Sequence, residues 1–298
     1  MKHLNVIRER AYAKINLFLD VLSTRPDGFH NIISVMHSLD LSDTLEISIK
    51  ESEGVNVSLS TDSDLPTDIN NLAYKAAIAY LERAGVGADV HIDLIKCIPV
   101  SAGLGGGSSD AAAVLRALNR HFRAFDLDVL YELALTIGSD VPYALTGGTA
   151  VCEGRGTPER FLTLAENKYF VLSKSNESIR APEAYAYLDS KYLLPDGIIS
   201  HNTDFSACPG ITASYEGKDI LIPLFNIFED AVSERISDVS VIKDLLFELG
   251  ADSCLMSGSG PTVFGVFNTK NAAENAVEEL SSRGYYASCA VGAPNIIL

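Results

Sequence analysis

Alternating apolar and polar positions dominate the first third of the chain. The stretch "LNVIRERAYAKINLFLDVLS" (4–23) mixes that alternation with short apolar runs and predicts one or two strands. A Pro-Asp-Gly turn at Pro26–Gly28 breaks it. "DTLEISIKES" (43–52) and "GVNVSLST" (54–61) keep a period of two, with Gly54 between them as an expected hairpin loop. The pattern then becomes helical in "LPTDINNLAYKAAIAYLERAG" (65–85). There Leu72, Lys75, Ala76 and Ala79 share a predicted face and Gly85 supplies the stop. "ADVHIDLIK" (88–96) returns to strand.

Next comes "CIPVSAGLGGGSSDAAAVLRALN" (97–119), a glycine-rich loop opening a run of strong helix formers. Ser108, Ser109 or Asp110 is expected as its N-cap or first-turn residue. A further helix, "FDLDVLYELALTIGSDVPYALTGG" (125–148), is broken at Gly138, Asp140 and Pro142 and leads into a strand at 149–154. The second half predicts a strand at 169–174, loops from 195 to 218, helices near 226–237 and 239–250, then strand–glycine turn–strand (251–267), helix (269–284) and strand (285–296). This succession fits a two-layer α+β domain. The expected organisation is therefore two domains, 1–160 and 161–298.

Composition narrows the possibilities. The chain has 298 residues, 47% hydrophobic and 21% charged, with a net charge of −16. That charge argues against non-specific binding to nucleic acid or an anionic membrane, while leaving room for a locally positive phosphate site. No apolar run reaches the length of a membrane span, and Arg8, Glu9, Arg10 and Lys14 are out of place in a signal peptide. Cys97, Cys152, Cys208, Cys254 and Cys289 are odd in number and scattered, which suggests free thiols in a reducing cytoplasm. Six histidines form no H-x-x-x-H pair, so a zinc site is not expected.

The glycine loop carries the first chemical signal. Four glycines among Gly103–Gly107 let the backbone approach a ligand closely. The first helical turn also offers unpaired N–H groups and the positive end of the helix dipole, which together suit an anion. It is not a Walker A loop, because no lysine lies between Ser101 and Arg116. Nor is it a dinucleotide fingerprint, because Ser108 stands where a third glycine belongs. The plainer alternative is a tight turn before a helix, which would not need this many glycines and serines. Two other stretches stand out. Lys14 and Asn16 share one face of an apolar strand. Asp140 follows a Gly-Ser break, where it is either a turn residue or a carboxylate facing a cleft.

"PVSAGLGGGSSDAA" (99–112) resembles the phosphate loop of the small-molecule kinases that include galactokinase, homoserine kinase, mevalonate kinase and phosphomevalonate kinase. "AYAKINLFLDVLSTRPDGFH" (11–30), "IGSDVPYALTGGTAVCEGRG" (137–156) and "SGSGPTVFGVF" (257–267) are similar, in the same order, to motifs of one family within it, the 4-diphosphocytidyl-2-C-methyl-D-erythritol kinases. The resemblance covers nearly the whole chain. It implies an N-terminal half like ribosomal protein S5 domain 2, a ferredoxin-like C-terminal half, and transfer of the ATP γ-phosphoryl to the substrate's 2-hydroxyl. It implies Lys14 and Asp140 as catalytic residues. Pro99, Gly103, Leu104, Gly105, Gly106, Gly107, Ser108 and Ser109 fall in the loop around ATP, and Asn71, Lys96 and Asp110 near the nucleoside. Ser109 is the expected hydroxyl beside Mg²⁺, and Asn16, Phe29, His30 and Tyr185 the expected cytidyl pocket.

Two departures from the family pattern stand out. Asp110 replaces a common asparagine, and Arg180-Ala181 replaces a Ser-Thr pair, so that either Arg180 or a different arrangement of the loop has to make up for the missing hydroxyl contact. Rival readings are a mevalonate or homoserine kinase, or a non-catalytic nucleotide sensor. The expected partner is a small molecule, with neither nucleic acid nor membrane, for a cytoplasmic monomer or homodimer.

Overall fold

The computed structural model describes residues 4–296. One long strand, β1 (Asn5–Thr24), pairs antiparallel along its length with β2 (His30–Glu51). Bulges at 12/14, 16/18 and 21/23 bend the pair and re-aim its side chains. β3 (Val55–Thr61) follows, then helix α1 (Leu72–Ala84) and β4 (Ala88–Ile95). The expected hairpin around Gly54 does not form. β4 pairs antiparallel with β2 and parallel with β3, so it lies between them. A parallel pair needs a crossover, and α1 supplies it. The core-facing residues of α1 are Ala73, Ala76, Ala77, Tyr80 and Leu81, a face rotated from the expected one.

α2 (Gly106–Phe122) is buried on every side from Ser109 to Leu118. Its small residues let it sit between the sheet and the helices α1, α3 (Leu127–Ile137) and α4 (Val141–Thr146). The N-cap of α2 is Gly105, in the left-handed region at φ 71°, and no serine or aspartate side chain caps it. Gly138 and Pro142 divide α3 from α4 as expected.

β5 (Thr149–Gly154) pairs with β2, and β6 (Thr157–Leu164) pairs with β5. An expected boundary near residue 160 falls inside β6. After β7 (Tyr169–Lys174) and helix α5 (Ala181–Tyr192), the chain adds β8 (Gly210–Tyr215), β9 (Lys218–Pro223) and β10 (Phe225–Asn226) to that sheet. The segment 195–218, expected as loops, therefore contains β8 and the start of β9. α5 was also unexpected, because Pro182 reads as a breaker in isolation. It occupies the first turn, where its missing N–H costs nothing.

α6 (Phe228–Ser233), α7 (Asp238–Glu248), β11 (Ser253–Met256), β12 (Val263–Phe267), α8 (Lys270–Ser282) and β13 (Tyr286–Val291) complete the chain. The second sheet runs β11-β12-β7-β13, all antiparallel, with helices on one side. This is the ferredoxin-like order, so the α+β expectation holds in both halves. Among the described residues no helix is long and apolar enough to cross a membrane.

Arg116 ties the elements that carry the cleft. Its side chain is 1% exposed, pairs with Glu9 at 3.1 Å, and donates to the carbonyls of Ala144 in α4 (2.8 Å) and Arg10 in β1 (3.0 Å). Removing Arg116 leaves the Ala144 and Arg10 carbonyls without their donor and Glu9 with only the half-exposed Arg120, 2.7 Å away. Arg116→Leu should cost about 3–5 kcal/mol in urea unfolding. Stability near that of the parent would show that the guanidinium is not the tie.

Candidate active site

A cavity of about 590 Å³ opens where the glycine loop, the start of β2, the turn before α4, α5 and the β11–β12 connection converge. Lys14 and Asn16 from β1 form its floor. Lys14 is 5% exposed, and its Nζ donates to Asn16 Oδ1 at 2.7 Å and lies 3.6 Å from Asp140 Oδ2. Asn16 in turn donates to Ser34 Oγ at 2.8 Å. Asp140 occupies the N-cap position of α4, yet its side chain makes no capping bond and faces the cleft. The turn-residue alternative is thereby set aside.

Two glycine turns close on the Lys14 side chain. A Cβ on Gly105 would meet Lys14 Cγ at 2.9 Å, and one on Gly258 would stand 3.1 Å from its Nζ. The two turns also touch each other. A Cβ on Gly103 would lie 2.2 Å from the Ser257 carbonyl, and Ser257 Oγ donates to the Gly103 carbonyl at 3.0 Å. Asn226, on β10, holds the second turn by donating to the carbonyls of Met256 (2.7 Å) and Gly258 (2.8 Å).

The remaining loop residues divide. Gly103, Gly105 and Ser108 line the cleft. Leu104 points into the core, and its carbonyl accepts from the Lys14 amide at 2.9 Å. Pro99, Gly106 and Gly107 lie beside the cleft, outside its lining. Ser109 is buried and its hydroxyl donates to the Tyr12 carbonyl at 2.6 Å. It thus turns away from the position where a metal-bound phosphate was expected, and Ser108 is the hydroxyl on the cleft wall.

Asn71, Lys96 and Asp110 are committed to the fold. Asn71 caps α1, accepting from Ala73 N and donating to the Pro66 carbonyl, both at 2.9 Å. Lys96 is buried between Asp43 and Asp110, with Asp110 at 2.8 Å. Asp43 also accepts from the amides of Cys97 (2.6 Å) and Ile98 (2.8 Å), fixing the strand that feeds the loop. Burial opposes the charge on Lys96, but Asp110 and Asp43 outweigh it and hold its pKa above the ordinary lysine value. One cation cannot satisfy two buried carboxylates. Asp110 Oδ1 has no partner, and burial, resisted by Lys96 and reinforced by Asp43, pushes the Asp110 pKa up to about 7.

The far wall is aromatic. His30 Nε2 bonds Asp189 Oδ1 at 2.9 Å, and its ring stacks on Tyr185 with centroids 4.6 Å apart. Tyr185 sets its edge against Phe228, and burial raises its phenol pKa above the ordinary range. Phe29 is 44% exposed at the mouth. Arg155, Asp189, Ser139 and Phe228 also line the cleft. Asp189 follows Tyr185 by four residues, a helical spacing that becomes visible once Pro182 is taken as a helix start. Arg180 is exposed and does not reach the cleft, although Ala181 does.

Comparison with known proteins gives the family and the fold. Residues 71–148 match the GHMP kinases N terminal domain and residues 217–286 the GHMP kinases C terminal domain. The 4-diphosphocytidyl-2-C-methyl-D-erythritol kinase of Bacillus pumilus is 38% identical, covering 98% of this chain and 99% of its own. That of Clostridium perfringens is 37% identical over 94% of this chain and 96% of its own. The chain belongs to the 4-diphosphocytidyl-2-C-methyl-D-erythritol kinase family. A crystal structure of 4-(cytidine 5'-diphospho)-2C-methyl-D-erythritol kinase superposes with a TM-score of 0.74 at 31% identity, covering 97% of this chain and all of the other. The two-domain kinase architecture of that family is thus the frame for the cleft.

The Asp110 pKa gives a pH prediction with a definite sign. Between about pH 4 and pH 7 the folded protein holds a proton that the unfolded chain releases. This group therefore makes stability fall as pH rises through that window, by on the order of 4 kcal/mol. Asn at this position stays neutral and can still accept from Lys96. Asp110→Asn should gain stability relative to the parent, and the gain should be larger at pH 8 than at pH 5 in thermal unfolding. An equal difference at both pH values would refute the assignment.

Proposed function

We propose that this chain is an ATP-dependent kinase that phosphorylates the 2-hydroxyl of 4-diphosphocytidyl-2-C-methyl-D-erythritol, a step of the non-mevalonate isoprenoid pathway. The observation that carries the reading is the Lys14–Asp140 pair, set between an amide-lined glycine turn and an aromatic wall containing His30. The family relationship supplies the substrate.

The amides of Gly106, Gly107 and Ser108 have no intrahelical acceptors, since the first backbone bond of α2 runs from Ser109 to Gly105. With the dipole of a 17-residue helix behind them, they suit the β- and γ-phosphates of ATP. Phosphoryl transfer asks the protein for positioning and charge stabilisation more than covalent chemistry. The acceptor oxygen bonds to the γ-phosphorus as the bond to the β–γ bridging oxygen breaks and ADP leaves. Asp140 orients the acceptor hydroxyl and takes its proton. Lys14 stabilises the charge on the transferring group, and Asn16 fixes its ammonium.

Mg²⁺ takes oxygen donors and keeps several waters. Ser108 and Asp140 place a hydroxyl and a carboxylate on the cleft wall, a donor set that fits such an ion. When bound it would neutralise phosphate charge. His30 supports the cytidyl reading through its tautomer. With Nε2 donating to Asp189, the neutral tautomer offers Nδ1 as an acceptor, suited to the exocyclic amine of cytosine.

The deciding experiment is a coupled assay of ADP release with the cytidyl substrate, and with mevalonate and homoserine as controls. Turnover is expected with the cytidyl substrate alone. Asp140→Asn and Lys14→Met should each lower kcat by about 10²–10⁴-fold, with ATP affinity retained. Near-normal turnover in both would end the proposal.

Gly105 offers a separate test. Alanine at φ 71° costs about 1–2 kcal/mol anywhere. At Gly105 it also displaces Lys14, whereas at Gly85, the C-cap of α1, nothing lies within 4 Å of the new Cβ. Gly85→Ala should lose about that much stability and Gly105→Ala more. Turnover should fall at least tenfold in Gly105→Ala and stay unchanged in Gly85→Ala.

A further inference from the structure

Asn226 is buried behind the second glycine turn and does not itself line the cleft. Its strand, β10, is two residues long and pairs parallel with β1, the strand that carries Lys14. The carboxamide is fully engaged. Nδ2 spends both protons on the Met256 and Gly258 carbonyls, and Oδ1 accepts from the Phe228 amide at 3.0 Å. Glu229, three residues on, accepts from the Met256 amide at 2.8 Å and pairs with Lys243. One short segment thus grips the backbone of the turn from behind.

The grip on the Gly258 carbonyl decides where the next amide points. The Gly258–Ser259 peptide is planar and trans, so its carbonyl and its N–H face opposite ways. With the carbonyl turned back to Asn226, the Ser259 N–H is turned to the cleft side. Gly258 and Ser259 both line the cleft. Among the described residues neither of their amides has a hydrogen-bond acceptor. The neighbouring amides are spent inside the turn, Ser257 on the Thr262 carbonyl (2.8 Å) and Gly260 on the Ser257 carbonyl (3.0 Å). Gly258 is buried at φ 58°, a left-handed residue of the kind from which anion-binding nests are built. A Cβ there would stand 3.1 Å from Lys14 Nζ, so the two free donors lie beside the ammonium.

We propose that Asn226 is a positioning residue for phosphoryl transfer, aiming the Gly258 and Ser259 N–H groups at the oxygens of the group in transit. The inference rests on the kinase reading above. It adds to that reading a second set of amide donors, on the C-terminal half of the chain, next to those that open α2. A carboxamide suits the task, because it supplies two N–H groups for two carbonyls and an acceptor for a third backbone group. Donors fixed in advance stabilise the transferring group more than the bound substrates, so their loss falls on kcat and spares KM.

Steady-state kinetics of Asn226→Asp and Asn226→Ala, with ATP and the cytidyl substrate, test this. Aspartate keeps the acceptor for the Phe228 amide but sets an oxygen against the two carbonyls, and alanine removes all three bonds. Both should lower kcat by about 10²-fold, with KM for each substrate within about threefold of the parent. Both should bind ATP normally yet bind ADP with aluminium fluoride, a mimic of the group in transit, about tenfold or more weakly. Tyr80→Phe is the stability control. It deletes a buried hydroxyl bonded to Asn119 at 2.9 Å, outside the cleft lining, and should keep the parental kcat. An amide-to-ester replacement at Ser259 removes its N–H and leaves every side chain in place. It should lower kcat about tenfold or more, and it decides the matter if an Asn226 variant fails to fold. Parental kcat in the ester variant would overturn the proposal and leave the kinase reading intact. Losses in the Asn226 variants confined to thermal stability, or to KM, would overturn it too. A parent protein that binds ATP but never turns over the cytidyl substrate would overturn the kinase reading itself, and this inference with it.

Discussion

The closeness of two glycine turns to one lysine side chain sets most of the geometry of this cleft. Lys14 rises from a strand that is buried on both faces, so its ammonium opens only onto the cleft. Gly105 lets the stem pass, Gly258 leaves room at its tip, and Asn16 and Asp140 supply the partners that a desolvated charge requires. A side chain at either glycine would push the lysine away, the turns apart, or both. The contact between Gly103 and Ser257 adds a second condition, because it fixes the C-terminal sheet against the loop that opens α2. The two halves of the molecule are therefore registered to each other at the same point where Lys14 is held.

The charge layout follows from burial as much as from count. The chain is strongly acidic, yet the cleft wall shows two cations, and the N-terminal end of α2 adds a partial positive charge. Behind that helix end lies the Asp43–Lys96–Asp110 cluster, whose formal charge is −1 when both carboxylates are ionised. Two backbone amides and the lysine all donate to Asp43. Asp110 has the lysine alone, and an oxygen with no partner, so it is the member that holds a proton near neutrality. A lysine that looks like a ligand in the sequence is in this way consumed by the support of the loop.

How much of this could be seen in the amino-acid sequence depended on whether the signal was local. The glycine loop, the Lys14–Asn16 face and the isolated Asp140 are local patterns, and each lies on the cleft. The Lys96 cluster joins residues 43, 96 and 110, and no spacing links them. Strand order was illegible for the same reason. Val55–Thr61 alternates as a hairpin partner of β2 should, but β4 outcompetes it for that edge, and nothing within residues 43–61 registers the competition. Short strands such as β8 and β9 carry little periodicity, and Pro182 hides a helix start behind the look of a break.

Arg155 and Arg180 make the point at the level of single side chains. Both are arginines beside a small residue, and the sequence pattern favoured Arg180, because it stands where a family hydroxyl is missing. The helix that Pro182 begins turns Arg180 outward and presents Ala181 and Tyr185 instead. Arg155 lies in a Gly-Arg-Gly turn between two strands, which by itself reads as a hairpin tip. It becomes a cleft residue because Gly156 can approach the Ser139 carbonyl and because Phe29, from a different turn, covers its guanidinium. Neither cause is visible within a few residues of position 155, so its place on the cleft could be found only after the chain was folded around it.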